Sequence, residues 1–407
     1  MYKLYPYFTN DGSVGLFSPD ADDIYHSTYG ALTEAYEKFI LPSNIKDFLK
    51  KNNEIKILDI CFGIGYNSKS IINFLLDFIY NETIGTNKIN NIDKIYTDNK
   101  NYKVFIHALD NDKNLALLSP FFVTDKKISK NNKLPFVNEK IIKMLSGKTE
   151  SKYKLKKEVN ILLLQKLISQ IDDEVIKILN TKEYAPFFDK MMINLLPHYG
   201  LFKNSNDILC HLSYLINFLH NIYYKYISSS YKMAFKALNL LDFDFNLEIN
   251  DARQSVKNDC RLYNYIFLDA FTPAKCPCLW TADFFKELYR LLDNNGMILT
   301  YSNSAAVRNA FLNAGFKVGK IFSESLNKFT GTIAVKNKSL IKYELSEYDL
   351  GLLKTKAGIF YRDKNLSLTN EEIITAHQKE VENSSLMSSS RYIKQCKKAN
   401  MHIKNVI

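Results

Sequence analysis

Short apolar runs alternate with amphipathic stretches at both ends of the central chain. Ile55 to Ile60 is a compact apolar run that ends in a glycine turn. From Ser68 to Tyr80, residues Ile71, Ile72, Leu75, Leu76 and Ile79 recur at helical spacing, and Lys103 to Leu109 is a second apolar run closed by Asp110. This predicts strand, helix and strand, with a polar, Asn-rich loop from Asn81 to Lys100. After Asp244 the alternation resumes. Strands are expected at Phe245 to Ile249, Tyr263 to Asp269, Gly296 to Tyr301, Phe316 to Phe322 and Gly331 to Val335, and helices at Thr281 to Leu292 and Ser304 to Asn313. Alternating strands and helices predict a mostly parallel α/β sheet, and the last two strands, joined by a short loop, predict an antiparallel edge hairpin.

Between the two halves the pattern changes. Val159 to Leu179, Asp207 to Tyr226 and Tyr231 to Leu241 carry helical periodicity, and strand signals are scarce. The chain therefore divides into residues 1–112, a helical insertion at 113–244, a second half of the α/β unit at 245–338, and a C-terminal extension at 339–407. The extension is polar, with one helix expected at Asn370 to Glu382 and frayed ends.

Charge and cysteine usage narrow the class. The 407 residues carry a net charge of +11, which suits a polyanionic partner such as RNA, although a composition rich in Lys, Asn and Ile produces the same charge without one. Six scattered cysteines include one close pair, Cys276-Pro277-Cys278, without the spacing or the second pair of a zinc site, so free thiols and no metal are expected. No apolar run is long enough to span a bilayer and the N-terminus has no apolar signal core, so a cytoplasmic enzyme and no membrane association are expected, with a monomer as the simplest state.

The candidate chemistry gathers at strand ends. In Asp59-Ile60-Cys61-Phe62-Gly63-Ile64-Gly65 a strand runs into a turn whose glycines let backbone N–H groups approach a ligand, which marks Asp59, Gly63 and Gly65 as cofactor residues. Asp110 closes the next strand, where a carboxylate can accept from both ribose hydroxyls, or simply cap the helix that follows. Asp251 is placed to accept from an adenine amine, or to serve as a helix N-cap. Asp269 is delivered by a buried strand to the sheet edge where ligands sit in open α/β folds, ahead of a loop with two prolines and the only Trp. It is the first catalytic candidate.

The stretch Phe267-Leu268-Asp269-Ala270-Phe271-Thr272-Pro273-Ala274-Lys275, followed by Leu279-Trp280-Thr281, closely resembles the methyltransferase part of the MnmC-type tRNA-modification enzymes. Thr300-Tyr301-Ser302, Val307-Arg308 and Ala314-Gly315-Phe316 fall where that family has T-[FY]-[ST], V-R and A-G-F. Cys61-Phe62-Gly63-Ile64-Gly65-Tyr66-Asn67 is similar to its G-F-G-T-G-L-N, and Asp23-Ile24-Tyr25-His26-Ser27 through Leu32, Glu34 and Ala35 to its D-x-Y-x-S…E-[SA] element. The resemblance covers roughly residues 23–110 and 245–335.

It implies a doubly wound, class I (Rossmann-like) methyltransferase sheet with a large helical insertion, S-adenosyl-L-methionine as cofactor, and the anticodon arm of tRNA as partner. Asn67 and Tyr25 then join the cofactor residues. The implied reaction methylates the aminomethyl group of 5-aminomethyl-2-thiouridine at the wobble position, with Asp269 beside the amine. Phe271, Pro273, Lys275, Trp280 and Tyr301 become substrate residues, the aromatic ones as stacking surfaces for a splayed base. The chain departs from the pattern in having Cys61 where the family has Gly, a long insertion, and a basic pair reduced to Lys328. The FAD-dependent domain of the bifunctional members is not expected here. Two other readings stay open: an aminopropyltransferase of the spermidine-synthase kind, and a non-catalytic RNA-binding module on a degenerate methyltransferase scaffold. Lys225, Lys232, Lys394, Lys397 and Lys398 are candidate phosphate contacts in the insertion and tail.

Overall fold

A computed structural model describes residues 4–19, 23–26, 28–79, 81, 101–123, 152–197 and 241–399. Its N-terminal part is a small antiparallel sheet of β1 (Tyr5–Phe8), β2 (Val14–Ser18) and β3 (Asp23–Tyr25) in that order, followed by α1 (Ala31–Ala35). The pattern of apolar positions gives no hint of this sheet, because three- to five-residue strands are too short to show a period. Asp11 ties it to α1. Its carboxylate accepts from Thr9 Oγ1 and Ser13 N, and from Thr33 N and Oγ1, all at 2.8–3.0 Å.

After α2 (Ile45–Lys51) the main sheet begins. β4 (Glu54–Ile60) leads through α3 (Tyr66–Ile79) to β5 (Tyr102–Asp110), then α4 (Lys113–Leu118). The described part of the insertion holds α5 (Lys157–Leu167), α6 (Asp173–Leu179) and α7 (Lys190–Leu195). Val159 to Leu179, which carries helical periodicity, is divided between α5 and α6, because Asp172 caps α6 through Glu174 N and Val175 N. The other two helices expected in the insertion lie outside the described residues up to position 240, as do Lys225 and Lys232.

The second half comprises β6 (Leu241–Ile249), α8 (Ala252–Asn258), β7 (Tyr263–Leu268), α9 (Ala282–Leu291), β8 (Leu292–Thr300), α10 (Ala305–Asn313), β9 (Lys317–Ser323) and β10 (Lys328–Val335). The seven strands are ordered β6-β5-β4-β7-β8-β10-β9. β4, β5, β6, β7 and β8 are parallel; β10 runs antiparallel between β8 and β9. This is the mixed sheet with flanking helices that the pattern predicts. β6 starts four residues earlier than expected. It is an edge strand in strict alternation, burying Leu241, Phe243, Phe245 and Leu247 and exposing Asp242, Asp244 and Asn246. Those charges hide it from a search for apolar runs, yet they are what keeps an edge from pairing with another chain.

The extension corrects the expectation of one helix; the frayed end expected of it falls on residues 400–407, outside the described residues. It folds as α11 (Glu347–Leu353), α12 (Asn370–Asn383) and α13 (Ser389–Lys398), the first two opened by capping boxes at Ser346 and Thr369. Buried charge anchors it. Asp349 receives Arg308 Nη1 and Lys320 Nζ, both at 3.0 Å, and Asp283 receives Arg362 Nε at 2.9 Å. Lys394, Lys397 and Lys398 are exposed on α13.

Candidate functional site

β4 and β7 are neighbours whose crossovers leave in opposite directions, the topological switch point at which open sheets bind ligands. A cavity of about 870 Å³ opens there, a size typical of small-molecule sites. Each of the five parallel strands sends residues from its C-terminal end into the wall: Cys61 and Gly63 after β4, Asp110 at the end of β5, Asp251 after β6, Asp269 after β7 and Tyr301 after β8.

The glycine turn is held by its neighbours. Cys61 N and Phe62 N both donate to Leu109 O at 3.0 Å, and Gly63 N donates to Asp110 Oδ2 at 2.6 Å. Cys61, Gly63 and Gly65 have φ of 66°, 56° and 78°, the left-handed region that costs a residue with a side chain. The two glycines differ. A Cβ on Gly63 would meet nothing nearer than Tyr25 Cδ1 at 3.8 Å, so it would project into open cavity, whereas one on Gly65 would strike Phe62 and Ser119 below 3 Å. Gly63 therefore keeps space for a ligand and Gly65 permits packing.

The strand-end carboxylates have different partners. Asp110 also accepts from Asp112 N at 2.8 Å, yet burial pushes its carboxyl up to about 6. Asp251 caps α8 by accepting from Arg253 N at 2.9 Å and holds the Arg253 guanidinium at 2.7–3.2 Å. Asp269 accepts from Asn67 Nδ2 at 2.9 Å and has no ion pair among the described residues. Burial raises its carboxyl, against the pull of His26. His26, at φ 67°, stands in the wall with Nε2 buried and without a hydrogen-bond partner, and burial keeps its imidazole below the usual range. Glu34 and Lys38 complete this end; Lys38 Nζ donates to Glu34 Oε1 at 2.7 Å and lies 5.7 Å from the Tyr301 ring centre.

Of the residues singled out from sequence, the cavity wall contains Tyr25, Gly63, Asp110, Asp251, Asp269, Phe271 and Tyr301. Asp59, Gly65, Asn67, Pro273, Lys275 and Trp280 stand outside it. Asp59 is fully buried behind the turn, accepts from Ser68 Oγ at 2.6 Å, and is raised to about 7 by burial. Asn67 acts through Asp269. Lys275 is exposed on its loop and Pro273 is half-buried. Trp280, expected as a stacking surface, is fully buried; its Nε1 donates to Phe271 O at 2.8 Å and its ring meets Tyr301 edge-on. It shapes the loop from beneath and offers no face to a base. The five described cysteines are free, as expected.

Sequence reading missed Lys38, Arg253, the two loop thiols, and residues 368–371 of the extension as parts of the wall. Two local signals existed: Lys38 lies one helical turn after Glu34, and Thr369 with Glu372 has capping-box spacing.

The comparisons fit this architecture. Residues 212–337 match the model of a family described as S-adenosyl-L-methionine-dependent methyltransferase. The chain carries an S-adenosyl-L-methionine-dependent methyltransferase domain. The fold of this methyltransferase is similar to that of the solved MnmC2 of Aquifex aeolicus, with a TM-score of 0.54 and 21% identity over 93% of this chain and 84% of that one. An uncharacterized protein of Methanocaldococcus jannaschii is 25% identical over 97% of this chain and 78% of its own. Bifunctional MnmC proteins, named for tRNA 5-methylaminomethyl-2-thiouridine biosynthesis, match locally: 46% over 52 residues in Pseudomonas fluorescens and 35% over 75 in Burkholderia vietnamiensis. Those matches span only 8% and 12% of the relatives' length. Among the described residues no helix is long and apolar enough to cross a membrane, and no group of side chains could hold a metal ion.

Proposed function

We propose that this methyltransferase converts the 5-aminomethyl group of the modified wobble uridine of tRNA into 5-methylaminomethyl. The observation that carries the reading is the state of Asp269. Glu34 has Lys38, Asp251 has Arg253, and Asp110 bonds backbone N–H groups; Asp269 stands beside them with one amide donor and no ion pair of its own among the described residues. A cationic or incipiently cationic nitrogen supplies one.

Gly63, with no side chain, leaves room for the cofactor, Asp110 accepts from its ribose hydroxyls, and Tyr25 and Asp251 border its adenine side. Bound there, the cofactor supplies a methyl group on a positively charged sulfur. An alkylamine has a reference pKa near ~10 and arrives mostly protonated, so the site must take it up neutral. Asp269, held in place by Asn67, then faces the nitrogen as it gains positive charge, and stabilises that charge in a place shielded from water. Phe271 and Tyr301 flank the base. Both rings line the cavity together with Phe39.

Purified protein incubated with cofactor and tRNA bearing 5-aminomethyl-2-thiouridine should yield 5-methylaminomethyl-2-thiouridine by nucleoside mass spectrometry. A parallel reaction with putrescine and the decarboxylated cofactor tests aminopropyl transfer. Product in that arm alone, or in neither arm, would overturn the reading.

A further inference from the structure

Cys276 and Cys278 flank Pro277 in the loop after β7, and both line the cavity beside Arg253 and the C-terminal segment. Their sulfurs lie 3.6 Å apart, and both side chains keep part of their surface open. A disulfide holds its sulfurs at about 2.05 Å, so forming the bond needs the sulfurs to approach by less than about 2 Å. The other described thiols are Cys61 in the glycine turn, Cys260 on the surface and Cys396 in the extension.

We propose that Cys276 and Cys278 are a redox site, which exchanges with a small-molecule disulfide such as glutathione disulfide to form an intramolecular bond that weakens cofactor binding. The Cys278 thiolate attacks one sulfur of the disulfide, that S–S bond breaks, and one thiolate leaves. The Cys276 sulfur, its proton released to solvent, then attacks Cys278 Sγ and expels the second thiolate. Two electrons pass from the protein dithiol to the small disulfide, which becomes two thiols.

The surroundings favour this order. The hydrogen bond from the Cys276 thiol lowers the Cys278 thiol, with the Arg253 guanidinium adding to the effect, while that bond and burial hold Cys276 up. A resolving sulfur already 3.6 Å away makes the second step intramolecular and fast. Closing a ring across one intervening residue strains the bond, and strained, accessible disulfides are the readily reduced ones.

The consequence for the site follows from what the loop holds. Cys278 N donates to Asn370 Oδ1 at 3.4 Å, Leu279 N to Cys276 O at 3.4 Å, and Cys276 N to Thr272 O at 2.9 Å. Drawing the sulfurs together shifts a wall that touches both the extension and the stretch following Asp269. The site does not depend on which methyl acceptor the enzyme uses.

The test uses the full-length reduced protein, titrated with glutathione disulfide and read by peptide mass spectrometry and by calorimetry with S-adenosylmethionine. The peptide spanning 276–278 should lose two hydrogens without retaining glutathione, and dithiothreitol should restore it. Cofactor affinity of the oxidised form should be about tenfold weaker, a difference of roughly 1.4 kcal/mol. Cys276→Ser should trap a glutathione adduct on Cys278, and Cys278→Ser should abolish the response at this loop. If Cys260 becomes glutathionylated while the 276–278 peptide stays reduced, the redox assignment fails. A bond that forms with cofactor affinity unchanged overturns its effect on binding. A reduced protein with no cofactor affinity would count against the cofactor reading instead, while the peptide map still judges the thiols.

Discussion

The sheet edge and the segments packed over it treat charge in opposite ways. In the additions, buried charge is satisfied. Asp11 bonds five donors, Asp349 holds Arg308 and Lys320, and Arg253 reaches Asp251, Asp363 Oδ2 at 2.9 Å and Leu368 O at 2.7 Å. At the sheet edge, charge is left exposed to its own desolvation. Asp59 keeps one oxygen without a hydrogen-bond partner, Asp269 has no ion pair among the described residues, and Lys69 is buried with one carbonyl. The backbone there is strained as well, at His26 and Cys61, which carry side chains at φ of 67° and 66°. At or behind this edge stand His26 Nε2 and Asp59 Oδ1, buried without a partner, and the left-handed His26 and Cys61, where a ligand can complete the structure; the networks of Asp11 and Asp349 hold the packing around them.

The largest expected effect lies on the edge. Asp269→Ala should lower methyl transfer by about 10²–10³-fold, the scale for removing one charge-stabilising group, while thermal stability and cofactor affinity hold. If the variant kept a third of wild-type turnover in single-turnover assays, the contrast between a strained edge and a satisfied scaffold would lose its functional meaning.

Cofactor affinity should respond next. Gly63→Val fills open cavity at a φ of 56° that a β-branched residue resists, and Asp110→Ala removes an acceptor. Calorimetry should show both binding the cofactor at least about tenfold more weakly, a difference of roughly 1.4 kcal/mol. Unchanged affinity in both would place the cofactor elsewhere.

Arg253→Ala probes the scaffold. It strands Asp363, a fully buried carboxylate, and frees the segment at Leu368. Breaking a buried pair by removing one partner costs about 3 kcal/mol or more. Stability in chemical denaturation should therefore fall first, and cofactor affinity only as the wall loosens. Affinity loss without a stability loss would make Arg253 a ligand residue and blur the division.

This division also explains what could be read from sequence. The central parallel strands β4, β5, β7 and β8 were legible because they are buried through most of their length and appear as apolar runs, whereas the parallel edge strand β6 alternates and was read four residues short; the residues that end the strands follow by position. Tyr25, Gly63, Asp110, Asp251, Asp269, Phe271 and Tyr301 all stand in the wall. Depth was not legible: Trp280 and Asp59 sit at the right places along the chain and point into the core. Nor was the extension, whose attachment rests on ion pairs between residues 29 to 110 positions apart, a distance over which no periodicity speaks.

The smallest effect concerns Lys69, on the turn-facing part of α3. Its Nζ donates to Ser119 O at 2.5 Å and lies 5.4 Å from the Tyr66 ring centre, and burial lowers its amine to about 7. In the unfolded chain a lysine titrates near ~10.4. Above that pH both states are neutral and burial carries no charge penalty. As pH falls, the unfolded chain binds the proton first and the folded one only near 7, so stability drops across this window and levels off below it. Lys69→Met removes the penalty and loses one hydrogen bond, for a net gain in stability at neutral pH. The gain should shrink as pH approaches 10, measured by chemical denaturation at a series of pH values. A gain independent of pH would mean that packing alone separates the variant from the wild type, and that the edge does not hold this charge at a cost.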